Sequence, residues 1–492
     1  MFKSVASNWT LNLLQMAALL WLSPFVLGQL GAGPNGLWVA IVSYTGILSL
    51  LILGVPMASV RAIAQAVGLK DEAAEQRAVS TCLGICLLLG LCALLCAALL
   101  YFGFDARVLG GEAGTGLAPE TLAGARLAFV IVGLQVACGF VMRLPYGILE
   151  AHGEFGLRNL VMAGELLLRI LLTVLLLRWR PELPMLAIVL VCSMLFEFAG
   201  ALYMIRRQHP RLSFSLAGFD RATVKPILTF SVFALLLNVG SLLAFRLDGM
   251  VITAYLPATA ATDFDIGNKF FDPLMQFLIG IGAVIMPAAA RLKTGGDTSE
   301  LRSVFLKWSK FALAIVLLIS IYLAVLGPAF LAWWMGPEYA ERSGSVLRVL
   351  LASFLFYLPI RGVALPVLLG LGKPRAPALA LLAMGLVNLG ISLALVHTQG
   401  ILGVAIGTAI PNVLFAFFVL VLACRELGIP LSEFATRVVL RPFLAALPLF
   451  ALLLFYEHHH PVHGFWPLIL SGLALVACAL LLWQTWVRKG TA

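Results

Sequence analysis

Ionisable side chains within long apolar segments are the residues of this chain best suited to chemistry. Five are basic and four are acidic: Arg143, Arg169, Arg246, Lys269, Arg361, Glu165, Glu197, Asp248 and Asp272. A charge in hydrocarbon is costly, so each should face a charged partner, another protein segment or a water-filled cavity. Guanidinium and ammonium groups in such a cavity are suited to binding phosphate.

Two helical spacings suggest local ion pairs. Glu165 and Arg169 are four residues apart, hence on one face of a helix, and Lys269 and Asp272 are three apart. Glu197 is predicted at a similar depth on the next segment. The first pair is either a salt bridge that joins two helices or part of a functional site, and the sequence leaves both readings open.

The other cations have different surroundings. Arg246 and Asp248 are two apart and point to different sides, so Arg246 should turn towards the face of Asn238. Arg246 and Lys269 are predicted on adjacent segments at comparable depth, where we expect both to line a cleft. Arg143 and Arg361 either join them there or extend towards the lipid headgroups.

Composition sets the class of protein that holds these residues. Of 492 residues, 62% are hydrophobic and 11% are charged, whereas soluble domains are about half apolar and a quarter charged. This excludes a soluble enzyme, a disordered chain and a disulfide scaffold. A membrane-spanning helix needs about 20 mostly apolar residues. We therefore predict an all-α polytopic membrane protein with about fourteen transmembrane helices, near 9–29, 37–60, 79–103, 124–148, 160–179, 184–205, 226–256, 263–290, 306–328, 344–370, 376–397, 401–424, 441–457 and 465–486.

The distribution of lysine and arginine orients these spans. Connectors on the N-terminal side hold far more of them than connectors on the other side, which predicts that the N- and C-termini are cytoplasmic. The net charge of +10 is therefore a topology signal rather than a nucleic-acid surface.

A weak internal repeat at an offset of 219 residues divides the chain. At this offset Gly153 aligns with Gly372, and Arg169 aligns with Asn388. Each copy holds six spans, an even number, so we predict two parallel six-helix lobes that face a central cleft. The predicted divisions are an N-lobe at 1–213, a cytoplasmic linker at 206–226, a C-lobe at 219–435 and two further spans at 436–492.

The sequence offers few residues or motifs for disulfide, metal or catalytic chemistry. The eight cysteines lie in apolar segments and are expected to pack as small core residues. A histidine cluster before the last span is expected to be a solvated loop rather than a metal site: His458, His459, His460 and His463. No phosphate loop, GxSxG or HExxH motif occurs, so we expect no catalysis, no cofactor and no metal.

Six motifs in both halves carry a family resemblance: LILGVPMASVRAIAQ (52–66), LPYGILEAHGEFGLRNL (144–160), FRLDGMVITAYL (245–256), LGPAFLAWWMGPEYAERSGSVLRVLL (326–351), VLLGLGKPRAPA (367–378) and GILGVAIGTAI (400–410). In their order and spacing the chain resembles the polysaccharide transporter, or O-antigen flippase, family of the multidrug/oligosaccharidyl-lipid/polysaccharide (MOP) exporter superfamily.

The resemblance implies two lobes around a V-shaped cavity, as in multidrug exporters of the MATE type. It also implies two C-terminal helices that similar lipid flippases use as a hydrophobic groove. The implied cargo is a polyprenyl-pyrophosphate-linked oligosaccharide, with polysaccharide polymerase and chain-length machinery as partners and no nucleic acid. Resemblance to coupled exporters makes the four carboxylates candidates for proton or sodium exchange. The cleft would then hold the phosphate with the five cations and Asn238.

Two departures from similar proteins narrow the alternatives. The first two spans contain no ionisable residue, whereas many similar multidrug antiporters carry an acidic one in the first span. A peptidoglycan-precursor flippase is also disfavoured, since such proteins carry arginine in these spans. A cation-coupled multidrug antiporter remains the alternative. A membrane glycan polymerase or ligase is a third reading, although no outer connector is long enough for the loop that such enzymes need.

Overall fold

The computed structural model describes residues 2–52, 55–221, 224, 236–294, 298–460, 462 and 464–482, and these form helices and short connectors without any strand. In this described part, nine helices are long and apolar enough to cross a membrane. The predicted class, an all-α polytopic membrane protein, is thereby confirmed, and the figure of fourteen spans is approximate. The chain divides into two compact units, Met1–Thr262 and Asp263–Ala492.

The helices of unit 1 follow one another with short connectors. They are α1 (Phe2–Leu30), α2 (Ala32–Gly46, continued by a 3₁₀ stretch at Ile47–Ile52), α3 (Val55–Leu69), α4 (Glu72–Phe104), α5 (Pro119–Met142), α6 (Leu144–Ala151), α7 (Phe155–Trp179), α8 (Leu183–Gln208), α9 (236–245), α10 (Asp248–Tyr255) and α11 (Ala258–Asn268), the last of which runs across the boundary of the unit.

Aromatic packing and a close helix approach hold unit 1 together. The rings of Phe104 and Phe129 stack at 4.7 Å between α4 and α5. Gly36 of α2 lies so near the start of α11 that an added Cβ would stand 1.7 Å from the carbonyl oxygen of Ala258. At the same contact Thr262 donates to a backbone oxygen of α2 at 2.7 Å. A residue without a side chain is therefore required at this crossing.

The segment after α8, which the sequence predicts as a linker at 206–226, lies along α4 where it is described. Gln76 and Ser213 exchange two hydrogen bonds, of 2.7 and 3.0 Å, between the glutamine amide and the serine backbone. Further along, the Asp220 backbone N–H donates to Thr81 at 3.0 Å. The first part of this segment is thus bound to unit 1. Residues 222–223 and 225–226 lie outside the described residues.

Unit 2 contains fewer and longer helices. They are α12 (Phe271–Thr294), α13 (Thr298–Trp334), α14 (Tyr339–Pro359, followed by a π-helical turn at Ile360–Ala364), α15 (Leu365–Gly370), α16 (Arg375–Leu427), α17 (Leu431–Phe434, followed by a π-helical turn at Ala435–Leu440), α18 (Arg441–His459) and α19 (Phe465–Leu482).

The long helix α16 contains two of the predicted spans. Gly400 has φ 57° and ψ −136°, so the helix changes direction at this residue. The sequence places a break at the same point, between the spans 376–397 and 401–424. The last two helices pack on α13, where the Tyr322 hydroxyl donates to the Leu468 carbonyl at 2.9 Å.

A helix-ending turn has the same form in both units. Gly153 follows α6 with φ 76°, and Gly372 follows α15 with φ 70°. The next amide, of Glu154 or of Lys373, donates to the carbonyl five residues back at 2.9 and 3.0 Å. A positive φ with this bond is the Schellman ending that glycine favours.

Each of these turns is also tied to a later helix of its own unit. Glu154 pairs with His209 at the end of α8 at 3.0 Å, and the His209 ring lies 3.8 Å from that of His152. Lys373 pairs with Glu426 in α16. The division into lobes at 1–213, 219–435 and 436–492 stays a prediction.

One predicted span has a different form in the structure. The sequence places a continuous helix at 37–60, but α2 ends at Gly46, a 3₁₀ stretch follows, and α3 runs on to Leu69. Hydropathy responds to side chains and not to backbone hydrogen bonds, so it does not detect such a change. Residues 53–54 lie outside the described residues.

Candidate functional site

Arg143 and Arg361 each lie where a membrane-spanning helix is irregular. Arg143, with φ −85° and ψ −10°, separates α5 from α6, and Arg361 lies in the π-helical turn between α14 and α15, beside the buried Tyr357. Pro145 and Pro366 follow them. Proline lacks an N–H and clashes with the carbonyl four residues back, so the helical ladder is interrupted before it.

Arg246 and Lys269 also lie at interruptions. Arg246 stands in the turn between α9 and α10, and Lys269 in the turn between α11 and α12. Non-helical backbone at membrane depth is tolerated where it is buried in protein or lines a water-filled cavity. Arg143, Arg246 and Lys269 therefore lie in turns between helices and Arg361 in a π-helical turn, whereas Arg169 lies within the regular helix α7.

A cluster of charges in unit 1 brings four of the predicted residues together. The Arg169 Nε atom lies 3.4 Å from Glu165 Oε1, and the glutamate side chain is only 8% exposed. Glu197 of α8 interacts electrostatically with Glu165, Arg143 and Arg169. The expected Glu165–Arg169 contact is thus present, and it joins α7 to a second carboxylate on α8 and to the break after α5.

Two members of this cluster are missing from the sequence prediction. The charges of Arg158 and Glu197 act on Tyr146, whose buried hydroxyl has no hydrogen-bond partner among the described residues. Arg158 also pairs with Glu150 at 2.8 Å. Both missed residues lie in the motif LPYGILEAHGEFGLRNL, which is the signal that could have identified them. The cluster can bind an anion through its arginines or exchange a cation at its carboxylates.

Asn238 lies on α9, Arg246 in the turn that follows it, and Asp248 at the start of α10. Asn238 and Arg246 are exposed, whereas Asp248 is 5% exposed and opens α10. A carboxylate in the first turn of a helix is stabilised by the helix dipole. The next residue, Gly249, is packed against α2, since an added Cβ would meet the Ser43 hydroxyl at 2.3 Å.

Lys269 has a partner that the sequence does not indicate. The sequence pairs it with Asp272, but its Nζ donates to Asp265 Oδ2 at 2.5 Å, one turn back in α11. Asp272 is exposed in the first turn of α12. The difference arises because the helix breaks at Lys269, so helical spacing does not apply across the break.

A buried polar network in unit 2 is absent from the sequence prediction. The Ser392 hydroxyl donates to Asn388 at 2.9 Å, and the Asn388 amide donates to Thr408 at 3.3 Å. Nearby in the sequence, Asn412 donates to the Ser353 hydroxyl at 3.1 Å. These bonds join the two arms of α16 and connect it to α14 without any charge.

Unit 2 also contains an apolar groove between α13, α18 and α19. Its cavity measures about 200 Å³. The side chains that line it are Phe311, Ala314, Ile315, Leu317, Leu318, Ile321, Pro442, Ala445, Ala446, Leu449, Val476, Ala479 and Leu480. Every one is apolar, so the groove is suited to hydrocarbon.

Metal chemistry is not indicated where the structure describes the chain. No group of three or more His, Cys, Asp or Glu side chains there could hold a metal ion, and His463 lies outside the described residues. The eight cysteines are free thiols, with Cys82, Cys86 and Cys424 buried.

Apolar helices in two units, interrupted at cationic residues, define a multi-pass membrane protein. The family model described as "Polysaccharide biosynthesis protein" matches residues 1–293, and the chain belongs to that family. This confirms the resemblance drawn from the motifs.

Solved structures show which fold the chain adopts. The lipid II flippase MurJ in an inward closed conformation superposes with a TM-score of 0.73, at 13% identity over 100% of both chains. An inward-facing multidrug resistance MATE family transporter of the MOP superfamily gives a TM-score of 0.68 at 18% identity, over 85% of this chain and 94% of that one. The fold is therefore shared with MOP transporters.

One curated relative matches in part. It is an uncharacterized membrane protein of Methanocaldococcus jannaschii, 22% identical over 218 residues, which cover 44% of this chain and 42% of that protein. The match thus spans less than half of the archaeal protein.

Proposed function

We propose that this chain is a flippase that moves a polyprenyl-pyrophosphate-linked oligosaccharide from the cytoplasmic to the periplasmic leaflet by alternating access, for surface polysaccharide synthesis such as O-antigen, lipopolysaccharide or exopolysaccharide. Family membership and the fold shared with the lipid II flippase support a lipid-linked sugar as cargo. The observation that carries the proposal is the placement of Arg143, Arg246 and Arg361 at turns or π-helical irregularities of membrane-spanning segments, with Lys269 in the turn between α11 and α12.

The headgroup is the part of the cargo that needs protein. Its charges and hydroxyls lose their water in hydrocarbon, which costs several kcal/mol for each unsatisfied group. Arginine and lysine replace that water with charge-assisted hydrogen bonds to phosphate. Under this proposal Arg143, Arg169, Arg246, Lys269 and Arg361 bind the pyrophosphate in a cleft, and Asn238 contacts the sugar.

The polyprenyl tail stays in an apolar environment throughout. The groove between α13, α18 and α19 is lined by apolar side chains alone, and this supports the use of the two C-terminal helices for the tail. Rocking of an N-lobe at 1–213 against a C-lobe at 219–435 then exposes the headgroup to each side in turn.

The driving force can come from the membrane itself. When the inside of the membrane is negative, outward movement of an anion is favourable by about 2.3 kcal/mol per charge per 100 mV. Proton or sodium exchange at Glu165, Glu197, Asp248 or Asp272 would add to it. Of these, Glu165 and Glu197 lie together in the charged cluster of unit 1, which favours them.

The cellular location and the partner proteins follow from the same proposal. The chain is a multi-pass membrane protein, and we place it in the bacterial inner membrane with both termini in the cytoplasm. Polysaccharide polymerase and chain-length proteins are the expected partners, since they consume the exported unit.

A multidrug antiporter is the second candidate, favoured by the fold shared with the MATE transporter. It predicts resistance to cationic drugs, and it needs a cleft whose charge is acidic rather than basic. A glycan polymerase or ligase predicts a new glycosidic bond instead. Transporters make no such bond.

Transport by the purified full-length protein in liposomes tests the proposal. The probe is a fluorescent polyprenyl-pyrophosphate oligosaccharide, and transfer is followed by the accessibility of its sugar to an external lectin. Wild type should move the probe between leaflets without covalent change. Arg246→Gln and Lys269→Gln should each lower the rate at least tenfold at unchanged membrane abundance, because each removes a charge that binds phosphate.

A matched control separates these effects from loss of charge in general. Arg178→Gln removes an exposed arginine in the last turn of α7 and should leave transport unchanged. Wild-type rates in Arg246→Gln and Lys269→Gln would remove both residues from the site. Drug efflux without glycolipid transfer would favour the antiporter, and elongation of the glycan would favour the enzyme.

A further inference from the structure

Two histidines and two glutamates meet in unit 1, where α4 begins and α6 and α8 end. His152 follows α6, and its Nε2 atom lies 3.2 Å from Glu75 Oε1 in the first turn of α4. His209 follows α8, and its Nε2 atom lies 3.0 Å from Glu154 Oε1. The centres of the two imidazole rings are 3.8 Å apart. Together these four residues form the paired-histidine group.

Both ring nitrogens of His152 face oxygen atoms. Nδ1 lies 3.0 Å from the backbone carbonyl oxygen of Ile148, and a carbonyl can only accept, so Nδ1 carries a hydrogen. If Nε2 carried none, its lone pair would face a carboxylate oxygen of Glu75 at 3.2 Å, and the two would repel. The contact therefore needs a second proton, held by an imidazolium beside a carboxylate or by a carboxylic acid beside a neutral ring.

The burial of Glu75 gives the same requirement. Its side chain is 13% exposed, and its Oε1 atom has no hydrogen-bond partner among the described residues. A carboxylate that is removed from water without a hydrogen-bond donor is costly, and a neighbouring positive charge offsets that cost. The side chain of His152, which is 11% exposed, is the group placed to supply that charge.

Other charges near the group are compensated or exposed. Three ion pairs surround it: Glu72 with Arg211, Glu150 with Arg158, and Asp71 with Arg77. Arg206 and Arg207 of α8 are exposed. The titratable groups that face His152 are therefore Glu75 on α4 and His209 after α8, with Glu154 on the far side of His209. Histidine is the side chain that ordinarily changes charge between about pH 5 and 8.

The paired-histidine group lies at the start of the segment that follows α8. Arg211 of this segment pairs with Glu72 at 2.5 Å, and Ser213 exchanges two hydrogen bonds with Gln76. Both partners lie within one turn of Glu75 on α4. The contact that fixes the start of α4 against the end of α6 therefore also fixes the residues that hold this segment.

We infer that the contact between His152 and Glu75 is a proton-dependent latch that holds the segment 209–220 on α4 and releases it as the pH rises. The held form keeps a proton that the released form gives up to solvent, so a lower proton concentration favours release. Under the predicted orientation the latch faces the cytoplasm and responds to its pH. The inference goes beyond the proposed function, because it does not depend on which molecule is transported.

Hydrogen exchange of the purified full-length protein in detergent tests the latch. Exchange of peptides that cover 209–220 is followed by mass spectrometry at about pH 6 and about pH 8, on either side of the ordinary titration of histidine. Each rate is divided by the chemical exchange rate at the same pH, which removes the direct effect of pH on exchange. In wild type, protection should be about tenfold lower at the higher pH, because one charge-assisted contact is lost.

Two variants should abolish this pH dependence while keeping the segment protected. Glu75→Gln places an amide that can donate to a neutral Nε2, so the contact no longer needs the extra proton. His152→Lys supplies a positive charge that persists at both pH values. His209→Gln is the matched control. It removes the other imidazole of the group and should keep the tenfold dependence on pH.

The opposite results are equally distinct. Equal protection of wild type at both pH values overturns the inference, and so does a pH dependence that survives in Glu75→Gln. Loss of the dependence in His209→Gln alone assigns the proton to the other histidine and overturns it as well. Thermal unfolding at the lower pH shows whether each variant folds. Glu75→Gln keeps the size and shape of the side chain, so it decides the result if His152→Lys does not fold.

Discussion

The pair between Glu165 and Arg169 gives the sharpest test of the charged cluster in unit 1. Arg169→Gln leaves a carboxylate that is 8% exposed without the guanidinium 3.4 Å away. Two unit charges at that distance attract by about 5 kcal/mol at an effective dielectric constant of about 20. The Arg169 side chain is 37% exposed, so solvent screens part of this attraction. The coupling free energy of the pair should therefore be about 1–3 kcal/mol.

A double-mutant cycle measures that coupling. Arg169→Gln, Glu165→Gln and the double variant are compared with wild type by thermal unfolding of the purified protein. Arg169→Gln should be the least stable, since Glu165 then faces Glu197 without its counter-charge. The double variant should recover most of the loss. Arg126 and Asp105 form the matched control, a pair at 2.7 Å that is exposed on both sides. Its coupling should be much weaker than that of Glu165 with Arg169, because solvent screens both charges.

Transport by the double variant separates the two readings of the pair. If Arg169 also binds phosphate, the double variant should be stable and yet lose most of its transport of the labelled glycolipid. Additive losses of stability in the cycle would refute the salt bridge. Wild-type transport by a stable double variant would refute the binding role of Arg169 and leave the pair as a structural contact between the helices.

Two glycine substitutions test the backbone. Gly36→Ala should prevent accumulation of folded protein in the membrane, because its Cβ would lie 1.7 Å from the Ala258 oxygen, whereas Gly28→Ala, with no atom within 4 Å of the added Cβ, should accumulate normally. Gly400→Ala should lower the unfolding free energy by about 1–3 kcal/mol, since φ 57° with ψ −136° is strained for a residue with a side chain. Gly390→Ala, in the same helix and in open space, should have no such effect in the same thermal assay.

The fold class could be predicted because it depends on composition. A chain that is 62% hydrophobic has to place its apolar surface in lipid, whatever its details. Interruptions of helices were also predictable where glycine or proline causes them. Gly400 ends one arm of α16 where the sequence placed a boundary, and Pro145 and Pro366 mark the irregular turns at Arg143 and Arg361.

The rest of the site depends on contacts between helices, which local patterns do not record. Tyr146 interacts electrostatically with Glu197, a residue 51 positions away in the sequence. The bond from Lys269 to Asp265 was not predicted, because the helix ends at Lys269 and Asp265 lies on the side before the break. A helical spacing rule assumes that the helix continues, so it fails at the residues that interrupt helices.

The two copies of the predicted repeat have different charges, although the helix-ending turns of the two units have the same backbone form. The glycine-centred turns after α6 and α15 have the same form. At the offset of 219, however, the four charged residues of the cluster fall on uncharged ones: Arg143 on Gly362, Glu165 on Met384, Arg169 on Asn388 and Glu197 on Ala416. These counterparts are all buried in unit 2. The charges of Glu165, Arg169 and Glu197 thus have no charged counterpart at the aligned positions of unit 2, where Asn388 takes part in an uncharged network. Under the proposed mechanism, the ion-dependent step and the phosphate contact at Arg169 belong to one half of the molecule, so neutral substitutions at Glu165 and Glu197 should change ion dependence whereas substitutions at Met384 and Ala416 should change stability.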